Sequence, residues 1–286
     1  MAIAGFSTVG VVGAGQMGAG IAQVCAASGL TVTLVDISAP QLEKAKAGIA
    51  ASLEKLESKA VIPAGTRAAA LARLSLDQSL SALKDVDLVI EAVIENEAIK
   101  SELLQNIDGL LQPKGIIATN TSSIPITRLA AATKRPTQVV GMHFMNPVPI
   151  MKLVEVIPGM ATDPAVTDRI IGLCGGLGKE VSKSQDYPGF VVNRILMPML
   201  NEAFNALLEG VASPEDIDKG MKLGCNMPMG PLTLADFIGL DTCLSIMEVM
   251  HKGLGDPKYR PSPLLRKYVE AGFYGRKSKR GVFKYD

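Results

Sequence analysis

The chain has 286 residues, with 29 basic and 28 acidic side chains and a formal net charge of +1. That length allows one large domain or two medium ones around a sizeable core, and dispersed basic residues leave no electrostatic footprint for nucleic acid. Four separated cysteines (Cys25, Cys174, Cys225, Cys243) and only two histidines exclude a disulfide framework and a zinc site, and no metal is expected. They fit reduced, mostly buried thiols in a cytoplasmic protein.

No charged residue occurs from Met1 to Val35. Repeated glycines, with Gln16 and Gln23 among them, argue against a membrane span, and no basic residues precede the apolar part as in a secretory signal. A buried strand and the helix packed on it explain the missing charge. Thr8–Val12 reads as that strand and Gln16–Ser28 as the helix. Thr31–Val35 is a second strand, and Ser38-Ala39-Pro40 opens a long helical stretch that continues past Pro63 to about Leu74. Val86–Val93 is a strand, Glu97–Leu111 a helix, and Gly115–Thr119, Pro136–His143 and Lys152–Ile157 are further strands. This alternation predicts a doubly wound, mainly parallel sheet over residues 1–187. Beyond Pro188-Gly189, Phe190–Leu208, Pro214–Leu223, Leu232–Met250 and Pro263–Ala271 read as helices, followed by a short Val282–Tyr285 strand. Residues 188–286 are therefore expected to form an all-helical domain. Ile195–Leu200 gives it an apolar face suited to the core or to a homodimer seam.

Gly13-Ala14-Gly15-Gln16-Met17-Gly18 follows a predicted strand and opens a helix. In that context Gly13 permits the tight turn, Gly15 the close approach of a pyrophosphate, and Gly18 close helix–strand packing, with the Gln16–Met17 end of the helix toward the phosphates. This is a Rossmann-like dinucleotide site. Asp36, at the end of the second strand, would accept from the adenosine ribose hydroxyls. No Arg or Lys follows it in Ile37-Ser38-Ala39-Pro40 to hold a 2′-phosphate, which favours NAD over NADP.

Glu155 interrupts the apolar run Leu153-Val154-Glu155-Val156-Ile157, where a carboxylate is costly unless paired, and His143 is the obvious partner. A histidine held by a buried carboxylate is prepared for general acid–base work. By themselves the two read more readily as a satisfied core histidine and an unrelated, solvent-facing glutamate. His251, by contrast, sits at a helix end that Gly253 terminates, where a cation suits the dipole.

Three further motifs give the pair a context: Asn120-Thr121-Ser122-Ser123, Gly141-Met142-His143-Phe144-Met145-Asn146-Pro147 and Asp186-Tyr187-Pro188-Gly189-Phe190-Val191-Val192-Asn193-Arg194. With the glycine motif they span nearly the whole chain, which closely resembles the 3-hydroxyacyl-CoA dehydrogenases, at the compact length of the bacterial 3-hydroxybutyryl-CoA enzymes. The resemblance implies reversible NAD-dependent oxidation of an (S)-3-hydroxyacyl-CoA thioester. It assigns His143 as the acid/base and Glu155 as its orienting carboxylate, with Ser122 and Asn193 holding the substrate oxygens. Glu95 and Lys100 would lie by the nicotinamide-side ribose with Asn146 nearby, Lys277 would reach the cofactor, and Ser52 and Lys59 would contact coenzyme A. Lys55 joins that last pair because it shares their helical face, although interleaved Glu54 and Glu57 also suit an ordinary solvated face. A homodimer through the helical domain is likewise implied. One departure stands out: Lys279 occupies the position after Lys277-Ser278 where the family commonly has glycine. Alternatives are a free β-hydroxyacid dehydrogenase, which would lean on a lysine rather than on the Ser122/His143/Glu155/Asn193 set, and a catalytically idle NAD-binding protein.

Overall fold

The computed structural model describes residues 2–286. The chain forms two compact units, Met1–Tyr187 and Pro188–Asp286.

The first unit is built on one eight-stranded sheet of order β3-β2-β1-β4-β5-β6-β7-β8. Its strands are β1 (Thr8–Val12), β2 (Thr31–Val35), β3 (Leu74–Asp77), β4 (Leu88–Glu91), β5 (Ile116–Thr119), β6 (Val139–Phe144), β7 (Leu153–Pro158) and β8 (Glu180–Lys183). Every pairing is parallel except β6 with β7. The central strands β4, β5 and β6 are buried along their whole length. That is why they read as continuous apolar runs rather than as alternation. Around the sheet lie α1 (Gln16–Ala27), α2 (Ala39–Ser58), α3 (Thr66–Ala72), α4 (Glu97–Leu110), α5 (Ile126–Ala131) and α6 (Pro164–Gly176).

Four features differ from the sequence expectation. The long helical stretch after β2 is two helices, because α2 ends at Ser58 and Lys59 is its C-cap. Leu74 then opens β3 instead of closing a helix. The edge strand β8 was not anticipated, and its charged ends suit an edge that must not pair further. Helices α5 and α6 were also missed. The amides of Ile126 and Thr127 at the start of α5 donate to the two carboxylate oxygens of Asp186, each at 2.7 Å. Part of the Asp186–Arg194 motif is thus a helix cap.

The second unit contains α7 (Val192–Leu208), α8 (Pro214–Gly224), α9 (Pro231–Ile238), α10 (Leu240–Leu254) and α11 (Pro263–Glu270). The single helix expected over Leu232–Met250 is broken at Gly239, whose φ of 107° lies outside helical space. Helix α10 runs through Gly253 and ends at Gly255. Met197 and Leu200 join the core with Phe204, Leu232 and Met247, whereas Ile195 is 68% exposed. The tail forms only isolated bridges rather than a strand. It is pinned by buried Asp236, which accepts from the Val282 and Phe283 amides and the Tyr285 hydroxyl at 2.9 to 3.0 Å. Burial, followed by the Asp236 carboxylate, pushes Tyr285 up to about 12.

Among the described residues no helix is long and apolar enough to cross a membrane. Nor does any cluster of three His, Cys, Asp or Glu side chains among them suit a metal. Burial pushes the thiols of Cys25, Cys174 and Cys243 up to about 12, leaving them protonated and inert, while Cys225 is exposed.

Candidate active site

At the end of β1 the chain must turn at once into α1. Gly13 takes φ +102° there, and a Cβ on it would lie 2.7 Å from the Ala92 carbonyl oxygen of the β4 loop. A Cβ on Gly18 would sit 1.8 Å from the Gly13 oxygen, so α1 packs on the turn only with glycine at that point. Gly15 is different: a Cβ there would meet nothing within 4 Å. It is the N-cap of α1 and offers no side-chain cap. The open side of Gly15 and the first-turn amides therefore suit an anionic group brought close to the backbone.

Asp36 is tied to the same turn. One carboxylate oxygen accepts from the Ala14 amide at 2.7 Å and the other from the Ser38 amide at 2.9 Å. Gln41 braces the turn from α2, donating to the Ala14 carbonyl at 2.8 Å. Gly13, Gly15, Gln16, Met17 and Asp36 line one cleft of about 710 Å³. Its apolar walls include Val12, Val35 and Ile94, and no Lys or Arg is among the residues lining it. An adenosine with a free ribose hydroxyl pair fits this lining, and a 2′-phosphate would meet the Asp36 carboxylate with no lining cation to offset it.

The loop after β4 carries Glu95, which gathers hydrogen bonds from the loop after β5. Its Oε1 accepts from the Thr121, Ser122 and Ser123 hydroxyls at 2.6, 3.1 and 2.9 Å, and from the Ser122 and Ser123 amides at 2.9 and 3.0 Å. Burial opposes the charge on Glu95, but the Lys100 ammonium and these donors outweigh it and hold the carboxyl below its ordinary range. Lys100 itself does not reach the surface. Its side chain is 1% exposed, and its ammonium contacts Glu91 at 2.6 Å, the Val93 carbonyl at 3.3 Å and Glu95 at 3.5 Å. Lys100 and Glu95, expected together at the nicotinamide-side ribose, are thus neighbours, with Glu95 the more exposed of the two.

His143 and Glu155 are directly opposed across the only antiparallel pairing of the sheet. His143 Nδ1 lies 2.8 Å from Glu155 Oε2, with Glu155 fully buried and His143 8% exposed. Strand register brings the two residues together, since one-residue slippage would put them on opposite faces. With a carboxylate oxygen as its partner, Nδ1 carries the hydrogen, which makes Nε2 the acceptor nitrogen of the ring.

The β6–β7 loop lies against two clefts. Asn146 and Pro147 share one of about 340 Å³ with Gly15 and Gln16. A larger cleft of about 1160 Å³ is lined by Ser52, Lys55 and Lys59 of the α2 region and by Pro147, Ile150 and Lys152. The structure thus places Ser52, Lys55 and Lys59 in a single cleft wall. Sequence reading passed over Lys179, which donates to the Val148 carbonyl at 2.5 Å and the Met151 carbonyl at 2.8 Å and so fixes this loop. A lone lysine near a polar edge strand carries no signal of that role.

In the helical unit, Asn193 stands in the first turn of α7 and is 7% exposed. Lys277 lies in a 3₁₀ turn, Arg276–Ser278, and pairs with Asp241 at 2.6 Å. Lys279, which closes that turn, adopts φ +58°. The position demands left-handed backbone, which explains why glycine suits it, and lysine occupies it here without losing the turn. His251 lies in the last turn of α10.

Comparison with known proteins agrees with this architecture. The family model described as 3-hydroxyacyl-CoA dehydrogenase, NAD binding domain, matches residues 8–187, and the one described as 3-hydroxyacyl-CoA dehydrogenase, C-terminal domain, matches residues 189–285. A 3-hydroxybutyryl-CoA dehydrogenase of Bradyrhizobium diazoefficiens is 54% identical over 277 residues, covering 97% of this chain and 94% of that protein. A probable 3-hydroxybutyryl-CoA dehydrogenase of Deinococcus radiodurans is 55% identical over 276 residues, covering 96% and 99%. The crystal structure of an (S)-3-hydroxybutyryl-CoA dehydrogenase from Ralstonia eutropha superposes with a TM-score of 0.95 at 53% identity, covering 98% of this chain and 99% of that one. With both family domains matched end to end, the chain belongs to the 3-hydroxyacyl-CoA dehydrogenases and carries their NAD-binding domain.

Proposed function

We propose that the chain interconverts a short-chain (S)-3-hydroxyacyl-CoA, 3-hydroxybutyryl-CoA in the first instance, and the corresponding 3-oxoacyl-CoA. The observation that carries this reading is the buried 2.8 Å contact between His143 and Glu155 in the same unit as the glycine turn and Asp36. NAD, when bound, supplies the hydride acceptor for the alcohol and, reduced, the hydride donor for the ketone. Gly13, Gly15, Gln16, Met17, Gly18 and Asp36 would hold its adenosine diphosphate part, with Glu95, Ser122, Asn146 and Lys277 toward the other end.

His143 Nε2 takes the C3 hydroxyl proton during oxidation and returns a proton to the forming alkoxide during reduction, so one imidazole serves both directions. Glu155 keeps the ring in the one tautomer and orientation that leaves Nε2 available. Ser122 and Asn193 supply neutral donors where the substrate oxygen gains charge. The roles of Asn193 and Lys277, and a homodimer through the helical unit, are proposed from membership of the family.

NADH oxidation measured with acetoacetyl-CoA and with free acetoacetate tests the reading. Turnover is expected with the thioester and not the free acid, and with NADH far more than NADPH. Turnover of the free acid alone would make the chain a free-acid dehydrogenase; turnover of neither would make it a binding protein.

Ser52, Lys55 and Lys59 are proposed to meet the phosphates of coenzyme A in the larger cleft. Lys59→Ala should then raise the KM for acetoacetyl-CoA roughly fivefold, the worth of one solvated ammonium–phosphate contact, and leave kcat in place. An unchanged KM would move the coenzyme A site elsewhere.

A further inference from the structure

The turn between β6 and β7 directs its polar groups inward. The amides of Ile150 and Met151 both donate to the Pro147 carbonyl at 3.0 Å. The carbonyls of Val148 and Met151 accept from Lys179 Nζ at 2.5 and 2.8 Å. Val148 is buried and seats on α1, where a Cβ on Gly20 would lie 2.8 Å from the Val148 Cβ. At the base of the turn the amide of Glu180, the residue after Lys179, donates to the Lys152 carbonyl at 2.8 Å. What remains outward is apolar. Ile150 is 68% exposed, and with Pro149 it lines the larger cleft beside Ser52, Lys55 and Lys59. The same cleft takes a second apolar edge, Val61-Ile62-Pro63, from the connection between α2 and α3.

Lysine is a costly means of closing such a turn. Lys179 is buried, its two hydrogen-bond partners are neutral main-chain carbonyls, and burial pushes its ammonium below the ordinary range. An exposed turn could leave the same carbonyls to water. A turn finished by water is free to change shape, whereas one finished by a buried side chain presents a fixed outer face before any ligand arrives. We propose that Lys179 is a positioning residue for the coenzyme A part of the substrate. By holding the Val148 and Met151 carbonyls it fixes Pro149 and Ile150 as an apolar lip against which the pantetheine arm packs. It thereby favours a coenzyme A thioester over a smaller thioester of the same acid. The inference rests on the reading of the larger cleft as the coenzyme A site.

The test compares two substrates at saturating NADH: acetoacetyl-CoA, and the acetoacetyl thioester of N-acetylcysteamine, which keeps the reacting atoms but lacks most of coenzyme A. Lys179→Met keeps an unbranched stem and removes the donors. It should lower kcat/KM for acetoacetyl-CoA about tenfold, through KM, and for the truncated thioester less than about twofold. Equal losses with both substrates would mean that Lys179 supports the hairpin carrying His143 and Glu155. No loss with either would mean that the turn keeps its shape unaided. Both results overturn the proposal. Ile150→Ser is the gentler probe if Lys179→Met does not fold, because it alters an exposed side chain and leaves the core intact. It should lower kcat/KM about fivefold for acetoacetyl-CoA and spare the truncated thioester, with an unselective loss or none counting against the idea. Added to Lys179→Met, it should cost less than about twofold more, since the lip is already displaced; a full further loss would mean that Lys179 does not act through Ile150. Failure of the coenzyme A reading itself shows separately, as an unchanged KM for Lys59→Ala in a chain that retains Lys179.

Discussion

His143→Gln is expected to lower kcat for acetoacetyl-CoA reduction about a thousandfold, within the usual range for removing a positioned acid–base group, while the NADH dissociation constant stays unchanged. Glutamine is close in size to histidine and can still hydrogen-bond Glu155 across the β6–β7 ladder, so the buried carboxylate keeps a partner. It cannot shuttle a proton. The cofactor cleft is lined from β1, β2 and the segments after β3 and β4, without His143, so the nucleotide should bind as before. The measurement is a pair of numbers: kcat with the thioester, and NADH affinity by fluorescence titration. If the variant loses NADH affinity or most of its thermal stability instead, His143 is a core histidine and the acid–base assignment fails.

Legibility varied with how much of the signal was local. The glycine turn, Asp36 and the apolar strands could be read because a tight turn and a doubly covered strand each impose residue types on consecutive positions. Glu155 could be read because a carboxylate in the middle of Leu153–Ile157 has no inexpensive place to go. The same logic applies to Leu88-Val89-Ile90-Glu91, yet Glu91 stands at the strand end, where an acid passes for a solvated tip. Only the packing of Lys100 shows otherwise. Lysine is rarely buried, so nothing in the sequence announces that Lys100 is also the counter-ion of Glu91.

The missed elements have similar causes. Strands β3 and β8 are four-residue edges with polar content, and their identity comes from the neighbour they pair with rather than from their own pattern. Helix α6 does announce itself through Asp163-Pro164, a cap followed by proline at the first turn, but glycines dilute its apolar stripe. The division of α9 from α10 was hidden because apolar periodicity runs straight through Gly239, and one positive φ decides the matter. What the sequence could not contain was Glu95 as a hub, since its five donors come from a loop that only the parallel β4–β5 pairing brings alongside.

Glu155→Gln separates orientation from burial. The substitution keeps shape and volume at a fully buried position, so a residue that merely filled the core would lose little. An orienting residue would lose its direction. The new amide can still accept from Nδ1–H, but it can equally turn and donate to Nδ1, which moves the ring hydrogen to Nε2 and removes the acceptor that the substrate hydroxyl needs. We expect kcat to fall about a hundredfold, less than for His143→Gln because the correct tautomer persists in part, with the NADH dissociation constant unchanged. The decisive comparison is the double variant. If Glu155 acts only through His143, then Glu155→Gln on the His143→Gln background should change kcat by less than about twofold, since residues working as a unit are not additive. A further hundredfold loss in the double variant would mean that Glu155 serves the site by another route, and an unimpaired single variant would mean that the carboxylate is buried for the fold alone.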